Sequence, residues 1–167
     1  MEKENRCNIA AKNKKGYAAI HFAAENGNIS ILKILLSHNA DINFPGPNRM
    51  TPLHLAAQNN HMECVEFLIE NGAKLNAKDK YKRNSVIIAI KNGNLKIASY
   101  LLKKGVAYDD PDSSKNYAIH YAAAYGFYEC IELLMKAGAD PNVKSSWNLC
   151  PLIIALQVSI LFIFSFV

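Results

Sequence analysis

The chain has 167 residues, of which half are hydrophobic and a fifth are charged, and its formal net charge is +5. This length is enough for one domain with a buried core, and the composition is close to that of ordinary globular proteins. This excess of positive charge is small, whereas dedicated nucleic-acid binders usually concentrate more positive charge on one face.

The cysteines give no sign of a disulfide-stabilised secreted domain. Cys7, Cys64, Cys130 and Cys150 are scattered without CxxC spacing, and the polar start "MEKENRCNIAAKNKK" does not resemble a signal peptide. We therefore expect a reducing intracellular setting, cytoplasmic with the nucleus as the alternative. Residues 1–12 are interpreted as the end of a preceding hairpin or as a flexible N-terminus.

One pattern recurs along the chain. Residues 20–40 read "IHFAAENGNISILKILLSHNA", residues 53–73 read "LHLAAQNNHMECVEFLIENGA", and residues 119–139 read "IHYAAAYGFYECIELLMKAGA". A step of 33 residues leads from His21 to His54, then to Ile87 and to His120. A fixed period of this length indicates a stack of repeated units, because one unit cannot bury its own apolar face.

The second unit shows the predicted elements most clearly. Pro52 suits the first turn of a helix, and Asn59-Asn60 ends that helix. Apolar residues at helical spacing from Met62 to Ile69 predict a second helix, which Gly72 closes because it can take a positive φ. Residues 74–84 are polar and predict a hairpin before the next unit.

The stretch "TPLHLAAQNNHMECVEFLIENGAKLNAKD" resembles the ankyrin repeat, in its T-P-L-H-x-A pattern and its 33-residue period. The resemblance covers residues 13–157 and implies an all-α solenoid with short β-hairpins, made of four full units and a partial fifth. The units are expected at 13–45, 46–78, 79–111, 112–144 and, in part, 145–157.

The glycine of the hairpin survives only as Gly16. Arg49, Lys82, Lys115 and Asn148 stand in its place in the later units, and we expect them to strain or reshape the hairpin tips.

No residue pattern indicates catalysis. The repeated His21, His54 and His120 are too far apart to share a metal ion, and the resemblance implies that they tie hairpin to helix through hydrogen bonds. Cys64 and Cys130 share a repeat position on the second helix and are interpreted as buried apolar residues. The chain has no phosphate loop, HExxH or GxSxG motif. We therefore expect no enzyme activity, no cofactor and no metal site.

Two charged segments have more than one interpretation. Asp109, Asp110 and Asp112 could bind a cation, although a solvated turn or a helix cap is the favoured interpretation. The basic run from Lys74 to Arg83 favours solvated lysines at a hairpin tip. An acidic protein partner is the second interpretation of this run and nucleic acid the third.

The candidate binding surface comes from the resemblance. In ankyrin-repeat proteins the hairpin tips and the ends of the first helices form the concave face that contacts partners, and these are also the positions that differ most between the units here. The implied contact residues are Lys14, Lys15, Tyr17, Asn48, Arg49, Met50, Lys80, Tyr81, Arg83, Ser113, Ser114, Asn116, Tyr125 and Trp147. Tyr17, Tyr81, Tyr125 and Trp147 are the expected anchors, because aromatic side chains supply much of the energy of protein interfaces.

Two functions follow as hypotheses. The first is a protein-interaction module that acts as a scaffold. The second is a non-catalytic piece of a larger enzyme, since residues 111–142 are similar to ankyrin arrays of protist proteins that carry a poly(ADP-ribose) polymerase domain.

The apolar end "VSILFIFSFV", residues 158–167, departs from the repeat. Three interpretations stay open: a membrane anchor, for which the 16 residues from Leu152 are short, an apolar capping helix, and a truncated or misread coding sequence.

Overall fold

The computed structural model describes residues 8–164, with side chains up to residue 157. The predictions for residues 1–7 and 165–167 lie outside the described residues. The described chain forms helices α1 (Ala19–Glu25), α2 (Ile29–Ser37), α3 (Pro52–Gln58), α4 (Met62–Glu70), α5 (Ser85–Lys91), α6 (Leu95–Lys103), α7 (Ala118–Ala124), α8 (Tyr128–Lys136) and α9 (Pro151–Phe164). The predicted helical pairs are therefore confirmed.

The helices form two layers. The first helices of the units, α1, α3, α5, α7 and α9, pack side by side in chain order, and α2, α4, α6 and α8 form the second layer. The first four of these first helices also pack on the second helix of their own unit. Every unit is thus covered by its neighbours, which is the arrangement that the repeat period predicts.

Small residues allow the first helices to approach one another. Ala24, Ala56, Ala57 and Ala122 are completely buried, and bulky side chains of the second layer such as Leu68 fill the space between the layers. Burying a leucine side chain contributes about 2 kcal/mol relative to leaving it in water. The core is therefore one continuous band that runs the length of the stack.

The predicted β-hairpins do not appear as strands anywhere in residues 8–164. Each loop instead closes through two short backbone bonds, as in the 3.0 Å bond from the Asp79 N–H to the Arg83 carbonyl and the 3.1 Å bond from the Lys82 N–H to the Asp79 carbonyl. The first of these bonds also joins Asn13 with Tyr17, Gly46 with Met50, Asp112 with Asn116 and Ser145 with Leu149. Because these bonds connect residues only three or four apart, the connections are tight turns.

The loop position that Gly16 occupies in the first unit has a left-handed backbone in every loop. Gly16 has a φ of 86°, and Arg49, Lys82, Lys115 and Asn148 have φ values between 55° and 61°. A residue with a Cβ atom pays about 1 kcal/mol for this conformation. The strain expected at these substitutions is therefore present in the backbone, and the turn keeps its shape despite them.

The repeated histidines connect the first helix of their unit with the chain segment after the second helix. The Nδ1 atom of His54 accepts a bond from the Thr51 N–H at 3.0 Å, and its Nε2 atom lies 3.0 Å from the Ala77 carbonyl. His21 makes the same pair of bonds to Ala18 and Phe44, and His120 to Tyr117 and Leu149. The structural role implied by the resemblance is confirmed by these bonds.

The third unit connects its first helix with the following loop through a different residue. Ile87 stands at the histidine position, and Asn84, one position before α5, accepts a bond from the Ile87 N–H and donates one to the Ala107 carbonyl at 2.6 Å. One asparagine thus caps the helix and also holds the following loop. This arrangement serves below as a template for changing the other units.

Ser85, at the position of Pro52, provides a first prediction. Its side chain is buried, and its hydroxyl oxygen has no hydrogen-bond partner among the residues that the structure describes. Ser85→Ala removes this unpaired group, and we expect it to raise the free energy of unfolding by about 1 kcal/mol. Ser85→Pro should raise it further, because Asn84 already has an extended backbone (ψ 178°) that suits a following proline.

Urea titration followed by circular dichroism measures both changes. The control is Ala118→Ser, which places a hydroxyl at the corresponding buried position of the fourth unit and should lower stability. A loss of stability in Ser85→Ala would show that the hydroxyl has a partner after all.

The last helix continues beyond the turn that the repeat predicts. The turn between the first and second helices of a unit has a positive φ at Gly27, Asn60, Gly93 and Gly126, and the next position in this series is Ser159. Serine adopts that conformation less readily, and α9 runs on through residue 164. Helix α9 packs against α7 in the layer of the first helices. Within residues 8–164, every helix is too short or too polar to span a bilayer.

Candidate partner-binding surface

The tips of the loops form one row along the stack. The Lys80 N–H donates to the Asn48 carbonyl at 2.7 Å, the Ser113 N–H to the Tyr81 carbonyl at 2.9 Å, and the Ser146 N–H to the Ser114 carbonyl at 3.0 Å. These bonds join the loops of consecutive units backbone to backbone. Side chains at matching positions of the loops are therefore presented at regular intervals along one rim.

Most of the predicted contact residues are exposed on this rim or at the end of α7. The exposed ones are Lys14, Lys15, Asn48, Arg49, Lys80, Tyr81, Ser113, Ser114, Tyr125 and Trp147. Trp147 is 79% exposed, and Tyr81 and Tyr125 are 43% and 48% exposed. These three aromatic side chains are thus available at the surface.

The other four predicted contact residues are half-buried. Tyr17 and Met50 pack against the apolar core, and Asn116 closes the loop of its unit through its backbone. Arg83 forms two bonds with the Asp79 carboxylate, from Nε at 2.8 Å and from Nη2 at 2.6 Å. Since the Asp79 side chain is completely buried, Arg83 holds the fold together in addition to lying near the surface.

Asp79 organises the loop that carries the basic run. Its Oδ1 atom accepts bonds from the Tyr81 and Arg83 N–H groups at 2.8 and 2.9 Å. Tyr81 lies under two cations, since the Lys80 Nζ atom and the Arg83 guanidinium carbon are each 4.8 Å from its ring centre. These contacts, each worth about 0.5–1 kcal/mol at an exposed site, fix the tyrosine at the loop tip.

Asp112 plays the same part in the next loop. Its Oδ1 atom accepts bonds from the Ser114 and Asn116 N–H groups, both at 2.8 Å, and its Oδ2 atom accepts one from the Tyr121 hydroxyl at 2.6 Å. Burial, together with the neighbouring Asp112 carboxylate, raises the pKa of the Tyr121 hydroxyl. The hydroxyl therefore stays protonated and keeps donating to the carboxylate.

The acidic segment before Asp112 is tied into the structure. Asp110 forms a 2.9 Å ion pair with Lys78, and Asp112 is buried within its turn. Across the described residues, no group of three or more histidine, cysteine, aspartate or glutamate side chains is placed to hold a metal ion. The interpretation as a turn accounts for Asp112 without a bound cation.

Asp79 and Tyr121 contribute to this surface and are absent from the predicted contact residues. A signal for the first was present, because Asn13, Asp79, Asp112 and Ser145 recur at the repeat step. Each of these side chains accepts a bond from the backbone of its own loop. Gly46 occupies the position in the second unit, where a Cβ atom would lie 2.7 Å from the His21 Nε2 atom.

The buried cysteines and histidines have the properties of structural groups. Burial raises the pKa of the Cys64 and Cys130 thiols to about 11, so both stay protonated at neutral pH. Burial lowers the pKa of His21 and His120, and that of His54 to about 4. These histidines are therefore neutral near pH 7. A neutral ring can accept a bond from a backbone N–H at Nδ1 and donate one to a carbonyl from Nε2, as the three histidines do.

Comparison with known proteins agrees with this architecture. A family model described as ankyrin repeats in three copies matches residues 3–79 and 76–145, which is most of the chain. No curated protein matches the chain significantly. The family match concerns the repeats alone and gives no support to the resemblance to poly(ADP-ribose) polymerase arrays. With its stacked helix pairs and its joined loops, the chain belongs to the ankyrin-repeat family.

Proposed function

We propose that the chain is a non-catalytic binding module that contacts a protein partner through the loop rim and the exposed end of α7. Ankyrin repeats generally serve as protein-interaction modules, and the observation that supports this proposal most is the row of loops joined backbone to backbone. Because these bonds hold the backbone of the loops, the loops themselves need little further ordering on binding.

The proposed contact surface combines large and adaptable side chains. Tyr81, Tyr125 and Trp147 are the anchors, because exposed aromatic residues often contribute 2 kcal/mol or more to an interface. Tyr125 stacks on Phe127 with ring centres 5.8 Å apart, which holds it in place before a partner arrives. Exposed polar side chains of the loop tips complete the proposed surface, namely Lys14, Lys15, Asn48, Lys80, Ser113 and Ser114.

A photo-cross-linking amino acid at Ser114 tests the proposal. Ser114 occupies the loop between those of Tyr81 and Trp147 and is exposed. We expect it to cross-link one protein in a lysate of the cells that express this chain. The same amino acid at Tyr128, which is 74% exposed on the second-layer helix α8, is the control and should not cross-link that protein.

Affinity for the cross-linked protein then depends on the three aromatic anchors. We predict that Tyr81→Ala, Tyr125→Ala and Trp147→Ala combined weaken binding at least thirtyfold, which corresponds to about 2 kcal/mol. The far-ultraviolet circular dichroism should not change, because all three side chains are exposed. Tyr128→Ala should leave the affinity unchanged, and an equal loss in both variants would contradict the proposed surface.

A further inference from the structure

Three cations occupy equivalent positions at the tips of consecutive loops. Arg49, Lys82 and Lys115 are separated by steps of 33 residues, and all three side chains are exposed. The bonds from Lys80 to Asn48 and from Ser113 to Tyr81 join the three loops directly. We call these three residues the cation row.

The backbone under the cation row is strained. Arg49, Lys82 and Lys115 have φ values of 60°, 61° and 55°, a conformation that glycine adopts without penalty and that Gly16 adopts at the same position of the first unit. The fold would therefore be served better by glycine at each position. Strain of this kind concentrates at functional sites, where a side chain is needed in spite of it.

The cations of the row are not used within the molecule. In the part of the chain whose side chains are described, none of the three forms an ion pair or stacks on an aromatic ring. Nearby cations differ in this respect, since Lys78 pairs with Asp110, Arg83 pairs with Asp79, and Lys80 lies over Tyr81. The cation row is thus a set of unpaired charges on loops that are joined backbone to backbone.

The spacing of the row fits an extended peptide. The first helices of consecutive units pack side by side, and packed helices lie about 8–10 Å apart, so successive loop tips are expected at a similar spacing. An extended peptide in the polyproline II conformation rises about 3.1 Å per residue and has three residues per turn. Every third side chain of such a peptide therefore points to the same side and meets the next cation.

A nucleic acid fits the surface less well. Three cations release few counterions, and single-stranded nucleic acids gain much of their affinity from bases that stack on aromatic rings. Tyr81, the aromatic residue beside the row, already has Lys80 and Arg83 against its ring. An acidic peptide needs no such stacking, because its carboxylates pair with the cations directly.

We propose that the cation row binds an extended acidic segment of the protein partner, with carboxylates at every third residue facing Arg49, Lys82 and Lys115. This inference rests on the proposed function and specifies the chemistry of the partner. It adds Lys82 and Lys115 to the contact residues.

The test uses a fluorescein-labelled peptide of nine residues with glutamate at positions 1, 4 and 7 and serine or glycine elsewhere. Its affinity is measured by fluorescence anisotropy at low salt for the wild type and for the variant Arg49→Gly, Lys82→Gly, Lys115→Gly. We expect the variant to bind at least tenfold more weakly, since each exposed ion pair makes a modest contribution. The urea midpoint of the variant should be equal or higher, because glycine relieves the backbone strain.

A second variant controls for overall charge. This variant removes three positive charges from the second-layer helices α2, α6 and α8 by the changes Lys33→Gln, Lys96→Gln and Lys136→Gln. We expect its affinity for the peptide to stay within twofold of the wild type. An equal loss in both variants would overturn the proposal, as would failure of the peptide to bind at low salt. Tighter binding of a single-stranded oligonucleotide of equal charge would also overturn it, in favour of a nucleic acid.

The cross-linked partner separates this inference from the proposed function. If the glycine variant keeps full affinity for that partner while the variant of Tyr81, Tyr125 and Trp147 loses it, the cation row is not used and the binding module stands. If neither variant loses affinity, the proposed surface itself is wrong.

Discussion

The stability of this chain should fall steeply as the pH is lowered from 6.5 to about 4. Burial depresses the pKa of His54 from its ordinary 6.5 to about 4, against weaker opposing effects of the Ala77 carbonyl and the Asp79 carboxylate. Between these two values the unfolded chain binds a proton that the folded chain does not. The free energy of unfolding therefore decreases with decreasing pH, by about 3 kcal/mol for His54 alone.

The hydrogen bonds of His54 also predict that its protonation lowers the free energy of unfolding. Its Nδ1 atom accepts from the Thr51 N–H, so the proton of the neutral ring is on Nε2, which donates to the Ala77 carbonyl. A second proton on Nδ1 would face the Thr51 N–H and break that bond. His21 and His120 have the same arrangement and lowered pKa values, so they add to the loss of stability below pH 6.5.

The third unit supplies the variant that isolates His54. Thr51→Asn with His54→Ile copies Asn84 and Ile87, which make the equivalent connection without a titrating group. We expect this double variant to fold at pH 7 and to lose up to about 1.4 kcal/mol less per pH unit than the wild type between pH 6.5 and 4. Urea midpoints at half-unit pH steps measure the difference.

The single variant Thr51→Asn provides the control for this titration. It keeps the buried ring of His54, so its slope should equal that of the wild type. A wild-type slope in the double variant would mean that His54 is protonated in the folded protein. That result would contradict the burial of its ring.

The features that could be predicted from the sequence are those that depend on the period. Stacked units place equivalent residues in equivalent surroundings. The step from His21 to His54 put the histidines at one repeat position, and the resemblance implied their shared structural role. The same step predicted strain at Arg49, Lys82 and Lys115, and all three have a positive φ.

Features that depend on the geometry of a single loop could not be predicted in this way. Asp79 and Arg83 both look like solvated charges in a polar run, because the sequence does not show that the turn at Lys82 folds residue 83 back onto residue 79. The predicted hairpins are not seen as strand pairs within residues 8–164 for a related reason. The period locates the loops, but it does not show that they close as tight turns between residues three or four apart. The candidate surface was identified through the resemblance, and the structure adds which of its members are already engaged.

The pairing of Arg83 with Asp79 leads to the second large prediction. Arg83→Ala leaves the Asp79 Oδ2 atom without its two donors in a position that water does not reach, since the carboxylate side chain is completely buried. Removing one partner of a buried ion pair typically costs 3–5 kcal/mol. The 16% exposure of the arginine side chain places the expected loss of unfolding free energy at the lower end, about 3 kcal/mol.

A double-mutant cycle with Asp79→Asn tests this explanation. The neutral amide keeps an acceptor for the Tyr81 and Arg83 N–H groups and carries no buried charge. Asp79→Asn combined with Arg83→Ala should therefore cost clearly less than the sum of the two single changes, with a coupling energy above 1 kcal/mol. Additive losses would show that Arg83 acts at the surface and not through the carboxylate.

The next unit offers a comparison with a smaller expected effect. Tyr121→Phe removes the 2.6 Å bond to the Asp112 carboxylate, but Asp112 is 7% exposed and keeps the bonds from Ser114 and Asn116. We expect a loss of about 1.5 kcal/mol, typical of a hydrogen bond to a charged group. A loss of unfolding free energy for Arg83→Ala that is twice the loss for Tyr121→Phe would support the ion pair of Arg83 with Asp79 as the stronger of the two contacts. A change at Arg83 would then alter binding indirectly, because it destabilises the loop that carries Tyr81.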